Sequence, residues 1–279
     1  MPDLRKWLGL PAVAWMAAMP AFAQPEKASP TLPARAVPLT AGELKTAIAF
    51  DALTVPTPGE VFAAIDKGGK PNWSSQYRPP MSFSSTSRAQ VALNLGTLIA
   101  DGYIAVEAQD GQQVKNIGRD VFTLSKKLSV SDSVLARGKS ITHFAENGAW
   151  AQLNEELEAT QNEVKKALED NRDGDLITLV SVGGWIRGTQ VVTGLLMQNY
   201  NADDAKLLRQ PALVSYLREK LDHVNPKLRQ DKIVGQVSDH LEAIEKLVNF
   251  PADHVPGPDE VRNLNGLVAE VTQQIANVP

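Results

Sequence analysis

Asp101 is the one charged residue between Ala89 and Val106, and Arg187 is the one charged residue between Leu176 and Ala202. Both stretches are apolar nearly all round, the pattern of helices buried at a centre. A buried charge without a partner is very unfavourable, so each of these residues needs a counter-group. The simplest solution is that Asp101 and Arg187 face each other across a helix contact as a hydrogen-bonded ion pair. The same residues fit a pocket. There Arg187 would bind a carboxylate or phosphate with Trp185 on the same helix. Asp101 and Glu107 would serve as acid and base, and Lys115, Arg119 and Asp120 would contribute from the next helix. Asp101 and Arg187 are therefore the candidate ion pair, and Glu107, Arg119 and Trp185 the candidate ligand-binding residues. No residue is assigned a catalytic role.

Other chemistry is poorly represented. The histidines are His143, His223, His240 and His254, and none sits in a His-Glu-x-x-His arrangement or follows a glutamate at the spacing of helical di-iron sites. Ser181-Val-Gly-Gly184 lacks the Gly-Lys-Ser/Thr end of a phosphate loop, and no Gly-x-Ser-x-Gly nucleophile elbow occurs. The chain has no cysteine, which removes disulfides, haem attachment and thiolate metal sites. The expectation is thus no metal and no cofactor.

The elements that must position these residues read as helices. Ser85-Thr86-Ser87 offers an N-cap for a helix from Arg88 to about Gln109, and Gly111 marks a break. Val114, Ile117, Val121, Leu124 and Leu128 recur at three and four residues, predicting a helix over 112–128. Ser131 or Asp132 would cap a third, ending at Asn147-Gly148. Residues 149–171 carry an apolar stripe opposite a run of charges, the pattern of a solvated face. Asp173 or Asp175 opens a helix to Leu196. Helices over 207–223, 233–250 and 259–276 follow, separated by Pro226 and the Pro251–Pro258 segment. Pro58 would sit in the first turn of a short helix near Glu60–Ile65. Trp73, Tyr77 and Phe83 would pin a proline-rich loop to the core, or else form a patch for a partner. Sustained alternation is almost absent. The expected class is all-α: a single bundle or array of seven to nine helices without a significant sheet. The Asp101 and Arg187 helices each carry several glycines, which suggests close backbone approach. They also align at Ala100-Asp101-Gly102 and Ile186-Arg187-Gly188, which an internal duplication or mere composition would both produce.

The N-terminus reads as an export signal. Arg5 and Lys6 precede an apolar run from Trp7 to Phe22, and Ala21-Phe22-Ala23 before Gln24 fits signal peptidase, placing the cut between Ala23 and Gln24. Pro11 and Pro20 argue against a spanning helix, so no stable membrane insertion is expected after cleavage. The domain plan is a cleavable signal over 1–23, a proline-rich tether over 24–42, and one helical domain over 43–279. Losing Asp3, Arg5 and Lys6 takes the net charge from −4 to about −5, which disfavours nucleic acid as the main partner. The expected location is periplasmic or secreted, in a bacterium. Three functions remain open: a non-enzymatic binding or interaction protein for a small molecule or envelope protein; an enzyme with a site at Asp101, Glu107, Arg119 and Arg187; and a structural or assembly factor of the envelope.

Overall fold

Thr57 starts the first described helix with a reciprocal cap. Its hydroxyl accepts from Glu60 N at 3.2 Å, and Glu60 Oε2 accepts from Thr57 N at 2.7 Å. The structure is a computed structural model, and it describes residues 57–66, 69–251 and 253–276. The signal over 1–23, the tether over 24–42 and the first part of the expected domain, 43–56, lie outside the described residues. The described residues all belong to one unit. They form nine α-helices of nine residues or more and no strand: α1 (Pro58–Asp66), α2 (Arg88–Glu107), α3 (Gly111–Lys127), α4 (Ser131–Glu146), α5 (Trp150–Asp170), α6 (Gly174–Gln198), α7 (Pro211–Asp222), α8 (Lys232–Val248) and α9 (Pro258–Ala276). Single helical turns fill 202–208 and 226–229, and a 3-10 turn spans Trp73–Gln76. The all-α expectation holds for these residues.

The helices from α2 to α6 are joined by one repeated device. Each of α2, α3, α4 and α5 ends with a residue in the left-handed region: Gln109, Ser129, Gly148 and Arg172, with φ of 54°, 64°, 63° and 60°. In each turn the next residue donates back five positions: Asp110 N to Ala105 O, Val130 N to Ser125 O, Ala149 N to Phe144 O, and Asp173 N to Leu168 O, at 2.8–2.9 Å. This is a Schellman end, and its last residue is also the N-cap of the following helix. Connections this short force each helix to run back along its predecessor. One expected cap changes as a result. Val130, buried in the turn, stands at the N-cap of α4, and Ser131 is already helical.

Five helices in alternating directions bring α2 and α6 out parallel. Leu93 lies against Gly183, Gly96 between Val180 and Gly184, and Asp101 beside Arg187. At the starts of the two helices, Arg88 and Asp173 form an ion pair at 2.7 Å. This pair is the centre of the fold. The helices α3, α4 and α5 stack to one side. On the other, α9 lies antiparallel along α6, where Asn265 Nδ2 donates to Thr193 Oγ1 at 2.8 Å. Its far end meets α2, where Asn94 Nδ2 donates to Ile275 O at 2.7 Å. The helix α8 packs against α9, and α7 packs against α8 and α6; Leu217, Leu221, Val237, Leu241 and Ile244 belong to the core. The α2 helix is long and apolar enough to cross a membrane, yet 94% of its apolar window is buried inside the fold, as suits a core helix.

The segment between α1 and α2 closes over the same centre. Trp73 is buried with its ring 5.3 Å from that of Phe62, and Tyr77 and Phe83 pack against the core. The aromatics therefore pin the loop. What the loop carries with it is Arg78.

Candidate functional site

Arg187 Nε donates to Asp101 Oδ1 at 2.8 Å, so the structure brings the two lone charges together. Arg187 is 2% exposed and Asp101 is 8% exposed. Both terminal nitrogens of Arg187 are hydrogen-bonded as well: Nη1 donates to Gln190 Oε1 at 2.8 Å and Nη2 to the Gln76 carbonyl. Burial holds the Arg187 guanidinium below its ordinary pKa. Asp101 opposes that fall, and the nearby Arg78 adds to it.

The pair is in fact a triad. Arg78 Nε donates to Asp101 Oδ2 at 3.0 Å, its Nη2 approaches the same oxygen, and Nη2 also donates to Thr97 Oγ1 at 3.1 Å. Asp101 thus has both oxygens committed to guanidinium groups. The cluster holds two cations and one anion, an excess of one positive charge in a largely desolvated place. Arg78 Nη1 is enclosed and has no hydrogen-bond partner among the described residues. Buried donors are nearly always met, so this orphan stands out.

Arg78 and Asp101 line a cleft of about 480 Å³. Its walls come from three elements. The helix α2 gives Leu98 and Asp101, one turn apart. The helix α3 gives Gln113, Asn116, Ile117 and Asp120, whose spacing of three and four puts them on one face. The segment from Tyr77 to Met81 gives the third wall, fixed by Tyr77, whose hydroxyl donates to Asp110 Oδ2 at 3.4 Å. Burial first, then the Asp110 carboxylate, push the Tyr77 phenol up to about 12. Asp110 also caps α3, its Oδ1 accepting from Gln113 N at 2.9 Å. One residue therefore locks the loop wall to the helix wall.

The other expected site residues divide. Arg119 stands on the rim of the cleft, hydrogen-bonded to Asn116. Asp120 lines it half-buried, and burial raises its carboxyl pKa, with Arg119 partly opposing. Glu107 closes α2 and is not part of the cleft wall. Lys115 turns outward to Glu146 at 3.3 Å. Trp185 lies elsewhere. Two residues from Arg187 on a helix is about 200° of rotation, so the two side chains leave opposite sides. The indole donates to Gln210 Oε1 at 3.0 Å, and Trp185 borders two gaps of about 20 Å³ each, room for little more than one water apiece.

Sequence reasoning passed over Arg78. A signal was present: it is the one charged residue between Lys70 and Arg88. That is the same lone-charge pattern that singled out Asp101 and Arg187, but it falls in a loop without periodicity. Among the described residues, no three His, Asp or Glu side chains gather as a metal site. Compared with family models, with curated proteins and with solved structures, the chain matches none.

Proposed function

We propose that this chain is an exported bacterial binding protein that holds a small carboxylate-bearing molecule in the cleft beside Arg78 and Asp101. The observation that carries this reading is the unbalanced triad. Two guanidinium groups share one saturated carboxylate at the wall of a cleft large enough for a small ligand. A third guanidinium group, that of Arg119, stands at the mouth, where it can meet the ligand as it enters. Low local dielectric strengthens an anion's attraction to this wall relative to water.

The test is calorimetric titration of the mature chain with simple carboxylic acids, dicarboxylic acids, amino acids and short peptides. At least one carboxylate binds, and Arg119→Ala weakens it about tenfold, the worth of one charge-assisted hydrogen bond. Arg119 is exposed, so its removal leaves the core intact. A panel in which nothing binds, or binding indifferent to Arg119→Ala, rejects the reading.

Export has its own check. The secreted form is expected to begin at Gln24, read from its intact mass. A bulky side chain at −1, as in Ala23→Trp, blocks processing and leaves the full precursor. A mature chain that starts elsewhere, or a precursor that is never shortened, contradicts the proposed route.

A further inference from the structure

Three of the charged groups on the cleft are basic or committed, and one is neither. Asp101 cannot serve a ligand, because Arg187 takes Oδ1 and Arg78 takes Oδ2. Asp120 is different. Its carboxylate lines the same cleft and makes no hydrogen bond or ion pair among the described residues, although Arg119, its neighbour in sequence, acts on it electrostatically. It is half-buried, and it shares one face of α3 with Asn116 and Ile117. A partly desolvated carboxylate without a partner favours a cation beside it. The cleft thus carries two kinds of charged group: the anion-seeking guanidiniums of Arg78 and Arg119, and a cation-seeking carboxylate at Asp120. The apolar part of the lining comes from Met81, Leu98 and Ile117.

Building on the carboxylate-binding reading, we infer that the ligand is a zwitterion, an amino acid or short peptide with an apolar side chain, its carboxylate toward Arg78 and Arg119 and its ammonium toward Asp120. A plain carboxylic acid would leave Asp120 facing it unpaired. A plain amine would meet the positive excess of the triad. A molecule with both charges satisfies both kinds of group, and an aliphatic side chain suits the apolar part of the lining. The volume of about 480 Å³ exceeds what one amino acid fills, so two or three residues fit best.

The experiment compares three series on the mature chain by calorimetry: leucine-containing di- and tripeptides, the same peptides N-acetylated, and the same peptides as C-terminal amides. Free peptides bind. Acetylation and amidation each weaken binding at least tenfold. Asp120→Asn removes the preference for the free amine while leaving N-acetyl peptides unchanged, and Arg119→Ala removes the preference for the free carboxylate. Thermal unfolding of both variants near the wild-type midpoint shows that the fold is kept. If N-acetyl peptides bind as well as free ones, and Asp120→Asn changes nothing, the zwitterion assignment is overturned while carboxylate binding stands. If free peptides, N-acetyl peptides and simple carboxylates all fail to bind, the carboxylate reading itself is overturned.

Discussion

Asp101→Leu is expected to lower the stability of the chain by about 3–5 kcal/mol, read from urea unfolding, because it strands two guanidinium groups that share one carboxylate. The sequence alone suggests a simple cycle, in which replacing Asp101 and Arg187 together by apolar residues is gentler than removing Asp101. The structure changes that cycle. Arg78 spends Nε and Nη2 on Asp101 and keeps only Thr97 when the carboxylate goes. The double variant Asp101→Leu/Arg187→Met therefore recovers part of the loss, and adding Arg78→Met recovers more. The triple variant still falls about 1–3 kcal/mol short of wild type, because the Gln76 carbonyl has lost the donor that Arg187 supplied. The order single, double, triple, from least to most stable, is the result to look for. A double variant as stable as the triple would mean that Arg78 contributes nothing and that the cluster is energetically a pair.

The same series bears on the cleft. Two cations on one anion is an arrangement that a purely structural pair would not need. A buried ion pair often adds little net stability over well-packed apolar residues. An excess charge at a cavity wall adds still less, unless something arrives to balance it. Binding by wild type and its loss in the triple variant would tie the imbalance to function, whereas the stability order alone would not.

How much of this was legible in the sequence depends on the kind of signal. Helix positions were, because apolar residues at three and four spacing and caps such as Ser87, which accepts from Gln90 N at 3.2 Å, are local facts. The partnership of Asp101 with Arg187 was legible too. It follows from the cost of a lone charge in an apolar helix and needs no coordinates. Arg78 was not read, since a loop residue has no period that declares its direction. The repeated turns were hidden as well. Three of the four left-handed positions are Gln109, Ser129 and Arg172 where glycine is usual, at about 1–2 kcal/mol each. Only Asn147-Gly148 advertised its turn. Trp185 was misplaced because proximity in sequence was taken for a shared face, which a separation of two along a helix does not give.

Gly96→Ala and Gly183→Ala are each expected to destabilise the chain by about 3 kcal/mol or more, because the new methyl has nowhere to go. A Cβ at Gly96 would lie 2.0 Å from the Val180 carbonyl oxygen, and one at Gly183 would lie 2.1 Å from that of Leu93. Both obstacles are backbone, so no rotamer change relieves them, and α2 and α6 must separate. The two changes together cost less than their sum, since helices already parted by one methyl make room for the other. Gly188 is the control. It lies on the same helix with nothing within 4 Å of a built Cβ, so Gly188→Ala gains about 0.4–1 kcal/mol through helix propensity and a less flexible unfolded chain. The glycines of α6 therefore do not share one role, although their sequence pattern suggested it. Separation of α2 from α6 also stretches the 2.8 Å bond between Arg187 and Asp101, which spans the same contact five residues beyond Gly96. Gly96→Ala is thus expected to weaken ligand binding at a cleft that it does not touch, while Gly188→Ala leaves binding alone. Unfolding midpoints that fail to separate Gly96→Ala from Gly188→Ala would show that the two helices are not held backbone to backbone, and with that the mechanism by which the fold sets the triad would fall.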